Sequence, residues 1–256
     1  MNPDFGRTAD DYASHRAGFP DSLFERLSEL GIGLEGQDVV DLGTGTGTLG
    51  RGFARRGCRV IGIDPAAEML EKAKALDAKE GLRTEYRVAR AEQTSLENAC
   101  ADAVGAGQCW HWFDRRAAAA EVVRLLRPDG FIVIAHFDWL PLSGNVVRMT
   151  EKLIEAHNPD WKMGGGVGVH PWWLRDLGEA GFRELTSFSY DVNVSYTPEA
   201  WRGRIRVSAG VAASLSAERV TAFDVELAAL LSDAFPGAQI SIPHRVFAVV
   251  GRRPEA

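Results

Sequence analysis

Val39-Val40-Asp41-Leu42-Gly43-Thr44-Gly45-Thr46-Gly47 is the stretch that decides the fold. A short β-branched run ends at an acid, and three alternating glycines then turn the chain into a helix. Glycine lets the backbone bend sharply and come closer to a ligand than any side chain would allow. A tight strand-to-helix turn needs glycine for structural reasons too, so the loop alone says more about fold than about chemistry.

Outward from this loop, short strand candidates alternate with helical stretches. Arg59 to Ile63, Glu85 to Ala89 and Phe131 to Ala135 are strand-like, and Ala101 to Ala106 is a weaker candidate. Ala66 to Lys79 and Arg115 to Leu126 read as helices, and Gly130, after Arg127-Pro128-Asp129, as a turn closing the second helix. Such alternation predicts an α/β fold: a doubly wound, mostly parallel sheet with helices on both faces. Upstream, Asp21 to Leu30 predicts a helix capped by Asp21 or Ser22. Downstream, helices are predicted over 144–157, 170–180, 198–211 and 217–234, with strands over 182–194 and 244–251. A glycine loop lies between, from Gly164 to Gly168.

The whole chain, 256 residues, bounds the answer. It predicts one domain over 1–256, made of an N-terminal helical segment (1–36), a cofactor-binding core (37–137), and substrate-side helices with closing strands (138–256). A formal net charge of −6 argues against nucleic acid or an anionic membrane as the main partner. Three widely spaced cysteines, Cys58, Cys100 and Cys109, have no zinc-ligand spacing and fit a reducing compartment. With no signal-peptide pattern and no run near the ~20 apolar residues of a membrane span, the expected location is the cytoplasm.

Two acids give the loop its chemistry. Asp64, at the end of the next strand, is placed to accept hydrogen bonds from two ribose hydroxyls. Asp41 would repel the pyrophosphate that a dinucleotide sets against the helix N-terminus, and suits a cationic or zwitterionic ligand instead. An NAD-dependent oxidoreductase would lack Asp41. S-adenosylmethionine carries an ammonium and a sulfonium and no phosphate.

Asp41 to Gly47, Asp64-Pro65 with Met69-Leu70, Ala91-Glu92, and Leu126 to Gly130 resemble, in order and spacing, the motifs of class I S-adenosylmethionine-dependent methyltransferases. More loosely, Tyr12 to Arg16, Gly18-Phe19-Pro20 and Gln108 to Asp114 are similar to the branch containing trans-aconitate methyltransferase. The resemblance implies a seven-stranded sheet whose last strand runs antiparallel, with a small helical cap. It implies that Gly43, Thr44 and Gly45 contact the methionine part of the cofactor and that Asp41 holds its ammonium directly or through water. It further implies Asp64 on the ribose, Pro65 and Met69 near the adenine, and Ala91 and Glu92 at the adenine edge. Gln108 joins this set, and Tyr12 and Arg16 close over the cofactor. Glu92 read alone is also an ordinary acid at a helix start, and Tyr12 and Arg16 a solvated arm.

In this fold family the acceptor sits above the loop after the fourth strand. Trp110, Trp112, Trp139 and Trp173 are therefore candidates for its wall, with Trp112 and Phe113 equally able to fill core space. His111 and, second, His136 are candidate general bases, needed only if the acceptor arrives protonated. No metal is expected. Arg202, Arg204 and Arg206 suit either an anionic acceptor or a solvated helix face. The function expected is methylation of a small molecule, at a carboxylate or natural-product hydroxyl oxygen. Nitrogen or carbon acceptors, and a non-catalytic cofactor binder, are the alternatives; the oligomeric state is open.

Overall fold

The β-branched runs become strands and the glycine turns become crossings in a computed structural model that describes residues 18–208 and 210–255. In chain order the elements are α1 (Asp21–Glu29), β1 (Asp38–Leu42), α2 (Thr48–Ala54), β2 (Arg59–Asp64), α3 (Ala67–Lys79), β3 (Glu85–Val88) and β4 (Ala101–Gly107). Then come a single 3₁₀ turn (Trp110–Trp112), α4 (Arg115–Leu125), β5 (Leu126–Trp139), α5 (Val146–His157) and α6 (Trp172–Glu179). The chain closes with β6 (Arg183–Tyr196), α7 (Pro198–Arg206), α8 (Ala217–Ala234) and β7 (Ile240–Arg252). The seven strands form one sheet in the order β3-β2-β1-β4-β5-β7-β6. β1 to β5 pair in parallel, with Val39 opposite Val60 on one side and Ala103 on the other. The strand order reverses between β1 and β4, and in such sheets ligands bind at the carboxyl ends of the strands beside the reversal.

The chain divides into two compact units. The described part of the larger comprises 18–137, 170–190 and 246–255, and carries β1 to β4 with α1 to α4 and α6. Its centre is β1 and β4, where Val39, Val40, Leu42, Ala103 and Val104 are all buried. The described part of the smaller comprises 138–169, 191–208 and 210–245. There Ile154 of α5, Trp201 and Ile205 of α7, and Phe223, Leu227 and Leu231 of α8 form a core of their own.

Two local expectations are corrected. The cap of α1 is Pro20, with no side-chain hydrogen bond, because Ser22 instead meets the Tyr190 hydroxyl at 2.9 Å. The turn at 127–130 does follow the helix that ends at Leu125, but it lies within β5 and not before it: Leu126 lies opposite Ala101 and Phe131 opposite Ala103, so the residues between bulge out. Pro128 has no N–H for the ladder, and Asp129 takes the left-handed turn at φ 64°. Arg127 fixes the bulge, reaching Asp38 at 2.7 Å and Asp102 at 2.8 Å at the starts of β1 and β4.

The glycine loop is held from below by a buried ion pair. Arg51 of α2 donates to Asp77 of α3 at 2.7 Å and to the Thr46 carbonyl at 2.8 Å. Tyr86 donates to the other Asp77 oxygen at 2.8 Å. Gly47, at φ 82°, lies against this group: a Cβ there would stand 2.8 Å from the Tyr86 hydroxyl. Removing one partner of a buried pair leaves an uncompensated charge. Asp77→Ala is therefore expected to lower the unfolding free energy by about 3–5 kcal/mol in urea denaturation; a loss below about 1 kcal/mol would place the loop's support elsewhere.

Candidate active site

Every described residue of the glycine-loop site lies in the larger unit. Asp41 is 1% exposed at the end of β1. Its Oδ2 accepts from the Thr44 hydroxyl at 2.6 Å and the Gly50 N–H at 2.9 Å, which ties the loop to the strand before it and the helix after it. Its Oδ1 is buried with no hydrogen-bond partner among the described residues. Burial, the largest effect, pushes the Asp41 carboxyl up to about 7, against the opposing hydrogen bonds from Thr44 and Gly50.

Asp64, at the end of β2, joins the loop to α3. Its Oδ2 accepts from the Gly45 N–H and its Oδ1 from the Ala66 N–H, both at 2.9 Å. Burial raises its pKa while both hydrogen bonds lower it. Each carboxylate oxygen retains lone-pair capacity beyond one bond, so the group is oriented without being saturated. Pro65 follows it, and Met69 is buried, its methyl 3.4 Å from where a Cβ on Gly45 would stand.

Gly43 has a second reason to be glycine. Its φ is 61°, and a Cβ there would stand 2.9 Å from both the Cys109 sulfur and the Phe113 ring. The loop after β4 thus packs directly on the loop after β1. Cys109 donates to the Leu42 carbonyl at 3.1 Å, and Gln108 turns at φ 60° while its amide donates to the Phe137 carbonyl at 3.2 Å. Ala91 is buried. Glu92, expected at the adenine edge, accepts from the Asp114 N–H at 3.0 Å, and Asp114 in turn caps α4. Its carboxylate is therefore already tied to the loop that carries His111.

The tryptophans separate. Trp112 is 43% exposed, its ring 4.6 Å from that of His111. Trp110 is fully enclosed, its indole donating to Asp176 of α6 at 3.1 Å, and Trp173 is fully enclosed against His170. Neither presents a face to solvent, so the expectation that they wall an acceptor gives way to a core role: the 3₁₀ turn points Trp110 inward and Trp112 outward. Trp139 lies in the smaller unit, where its indole donates to Glu151 at 3.0 Å. The loop 164–168 is held in that unit at both ends, by the Gly165 N–H on Glu151 at 2.9 Å and by Arg245 on the Val167 carbonyl at 2.9 Å.

The candidate bases stand in a row. The rings of His111 and His136 are 5.4 Å apart, and His136 is 4.6 Å from His170, which stacks on Trp173 at 4.2 Å. His170 escaped sequence reasoning, as did Arg51, Asp77 and Tyr86 beneath the loop. In the sequence His170 is visible only as His170-Pro171 opening a helix. Tyr12 and Arg16 lie outside the described residues.

A buried acceptor without a partner beside glycine turns, and a second carboxylate held on the rim of the same loop, fit a ligand bearing an ammonium and vicinal hydroxyls. S-adenosylmethionine is such a ligand. A Methyltransferase domain profile matches residues 40–134. An uncharacterized methyltransferase of Mycobacterium tuberculosis is 34% identical over 130 residues, 51% of this chain and 50% of the relative, so this chain spans about half the length of that curated relative. The ubiquinone biosynthesis O-methyltransferase of Marinobacter nauticus is 31% identical over 196 residues, 66% of this chain and 79% of the relative. A solved methyltransferase structure from Anaeromyxobacter dehalogenans shares the fold at TM-score 0.70 and 24% identity, covering 94% of this chain and 99% of that one. The chain belongs to the class I S-adenosylmethionine-dependent methyltransferase family. These relatives carry the family, and not the narrower trans-aconitate branch.

The raised Asp41 pKa has a signed consequence for stability. The folded chain favours the neutral carboxyl, so this contribution is complete below the ordinary value of 3.8 and is lost as pH rises through about 7. Asp41→Asn keeps the acceptor for Thr44 and Gly50 and removes the titration. Relative to wild type, the variant is expected to gain roughly 2–4 kcal/mol between about pH 4 and pH 8. Urea denaturation at stepped pH measures this; parallel stability profiles would contradict it.

Proposed function

We propose that this chain transfers the methyl group of S-adenosylmethionine to an oxygen of a small acceptor, a hydroxyl in the first instance. The observation that carries this reading is the row of imidazoles His111, His136 and His170 at the carboxyl end of the cofactor unit's strands. A hydroxyl must lose a proton as its oxygen attacks, and imidazole titrates where a general base is useful. The name of the Marinobacter relative, an O-methyltransferase, supports the same choice of atom.

When bound, S-adenosylmethionine supplies a methyl on a sulfonium, transferred by in-line displacement with departure of the neutral thioether. Gly43, Thr44 and Gly45 would hold its methionine part, with the unpartnered Asp41 oxygen toward the ammonium. Asp64 would hold the ribose, and Pro65, Met69, Ala91, Glu92 and Gln108 would line the remainder. His111, exposed on its 3₁₀ turn, would accept the acceptor's proton, and His136 beside it is the second candidate. Trp112 would keep an aromatic face toward the reacting centre, favourable to a sulfonium by cation–π attraction. Much of the acceleration would come from alignment. A carboxylate acceptor needs no base, and it is the reading that remains if the histidines prove dispensable.

Among the described residues no helix is long and apolar enough to cross a membrane. Cys58, Cys100 and Cys109 form no disulfide, which supports placing the chain in a reducing compartment such as the cytoplasm.

S-adenosylhomocysteine formation across a panel of phenols, alcohols, acids and amines tests the reading directly. Turnover is expected with hydroxyl acceptors; cofactor binding with no turnover on the whole panel would favour a non-catalytic binder. His111→Ala is expected to lower turnover on a hydroxyl about 100-fold, the low end of general-base catalysis, with cofactor affinity unchanged. Undiminished turnover at every pH would remove the base and leave the carboxylate reading. Asp64→Ala is expected to weaken S-adenosylmethionine binding by about 1.5–3 kcal/mol in calorimetry. Unchanged affinity would contradict the ribose assignment.

A further inference from the structure

The three arginines of α7 are not equivalent. Arg202 and Arg206 both reach Asp224 of α8, and both also pair with Glu199, at 2.8 and 3.1 Å respectively. They form a closed, charge-matched face. Arg204 stands between them in sequence and points elsewhere: its guanidinium lies 4.7 Å from the centre of the Trp139 ring. Among the described residues it has no carboxylate within ion-pairing distance and makes no hydrogen bond. A guanidinium carries five N–H donors in a planar fork that matches a carboxylate, and leaving them unmet away from bulk water is costly.

Burial dominates and lowers the Arg204 pKa, while Tyr196 and Asp138 act on it only by their charge, from beyond ion-pair reach. His244 is 3% exposed, and burial pushes it down to about 4, so it is neutral near pH 7 and adds no second cation. Trp139 is itself fixed: Glu151, 1% exposed, accepts its indole N–H at 3.0 Å. Trp139 also meets Trp201 edge-on at 5.5 Å, and Tyr196 meets the same Trp201 edge-on at 5.5 Å. The result is one partly exposed cation, placed over a clamped indole, among aromatic rings.

We propose that Arg204 on Trp139 is a binding site for the carboxylate of a small organic acid with an apolar body. One unpaired guanidinium matches one carboxylate in a bidentate pair, and the rings match an apolar remainder. The site stands independently of methyl transfer, since its occupancy requires no turnover.

The test titrates the full chain with acetate, hexanoate and phenylacetate, each against its uncharged amide, by calorimetry and tryptophan fluorescence. Hexanoate or phenylacetate is expected to bind at least tenfold more tightly than its amide. Arg204→Met is expected to abolish that preference, and Arg204→Lys, which keeps the charge without the fork, to retain part of it. Arg204→Met is also expected to raise the melting temperature of the ligand-free chain, because it removes a half-buried charge that has no ion-pair partner among the described residues. A guanidinium that merely packs on Trp139 would lower it. Absence of any charge preference in wild type, or a preference that survives Arg204→Met, overturns the site. With S-adenosylmethionine added, methyl ester formation identifies the bound acid as an acceptor, and recovery of unchanged acid identifies it as a ligand that is held and not methylated. Either result leaves the carboxylate site standing.

Discussion

The cofactor end of this fold depends on one buried carboxylate. Asp41 holds the turn after β1 from both sides, with the Thr44 hydroxyl and the Gly50 N–H on the same oxygen. That oxygen restrains a turn whose three glycines select no path by themselves, since glycine permits many conformations. Asp64 then takes the Gly45 N–H and the Ala66 N–H, so the ends of β1 and β2 are joined through one side chain. Arg51, Asp77 and Tyr86 close the arrangement from beneath. The cost is a desolvated acid whose second oxygen has no protein partner among the described residues, and a buried acceptor left open in this way favours a cation or a donor from outside the chain.

The same economy recurs in the loop after β4. Cys109 and Phe113 occupy the space that any side chain at Gly43 would fill. Glu92 holds the backbone of Asp114, and Trp110 is tied to Asp176. His111 and Trp112 are thereby presented outward from a turn whose other members are all anchored. An imidazole and an aromatic face on a rigid support suit the alignment that the proposed methyl transfer requires.

What was legible in the sequence was whatever local rules decide. The glycine turn, the β-branched strands and α8, expected and found from Ala217 to Ala234, all follow from neighbours within a few residues. What was not legible depends on partners far along the chain. The bulge at 127–130 needs Arg127 to reach Asp38, and the inward turn of Trp110 needs Asp176. His170 joins His136 only through the fold. Arg202 and Arg206 share a face on periodicity alone, but Arg204 becomes distinct only once Asp224 has claimed the other two. Pattern gives faces; partners come from topology.

Fold and family fix the electrophile and leave the acceptor to the histidine row and to the residues after Asp138. The claim beneath both is that the Asp41 oxygen faces a cation when the cofactor is bound. A cation there favours the ionised carboxyl, so a group poised at about 7 must give up its proton on binding. The heat of S-adenosylmethionine binding near pH 6.5, measured in buffers of different ionisation enthalpy, counts those protons. The account predicts a fractional proton released by the wild-type chain and none by Asp41→Asn, with the difference vanishing well above neutral pH. Equal proton counts for the two proteins would contradict it.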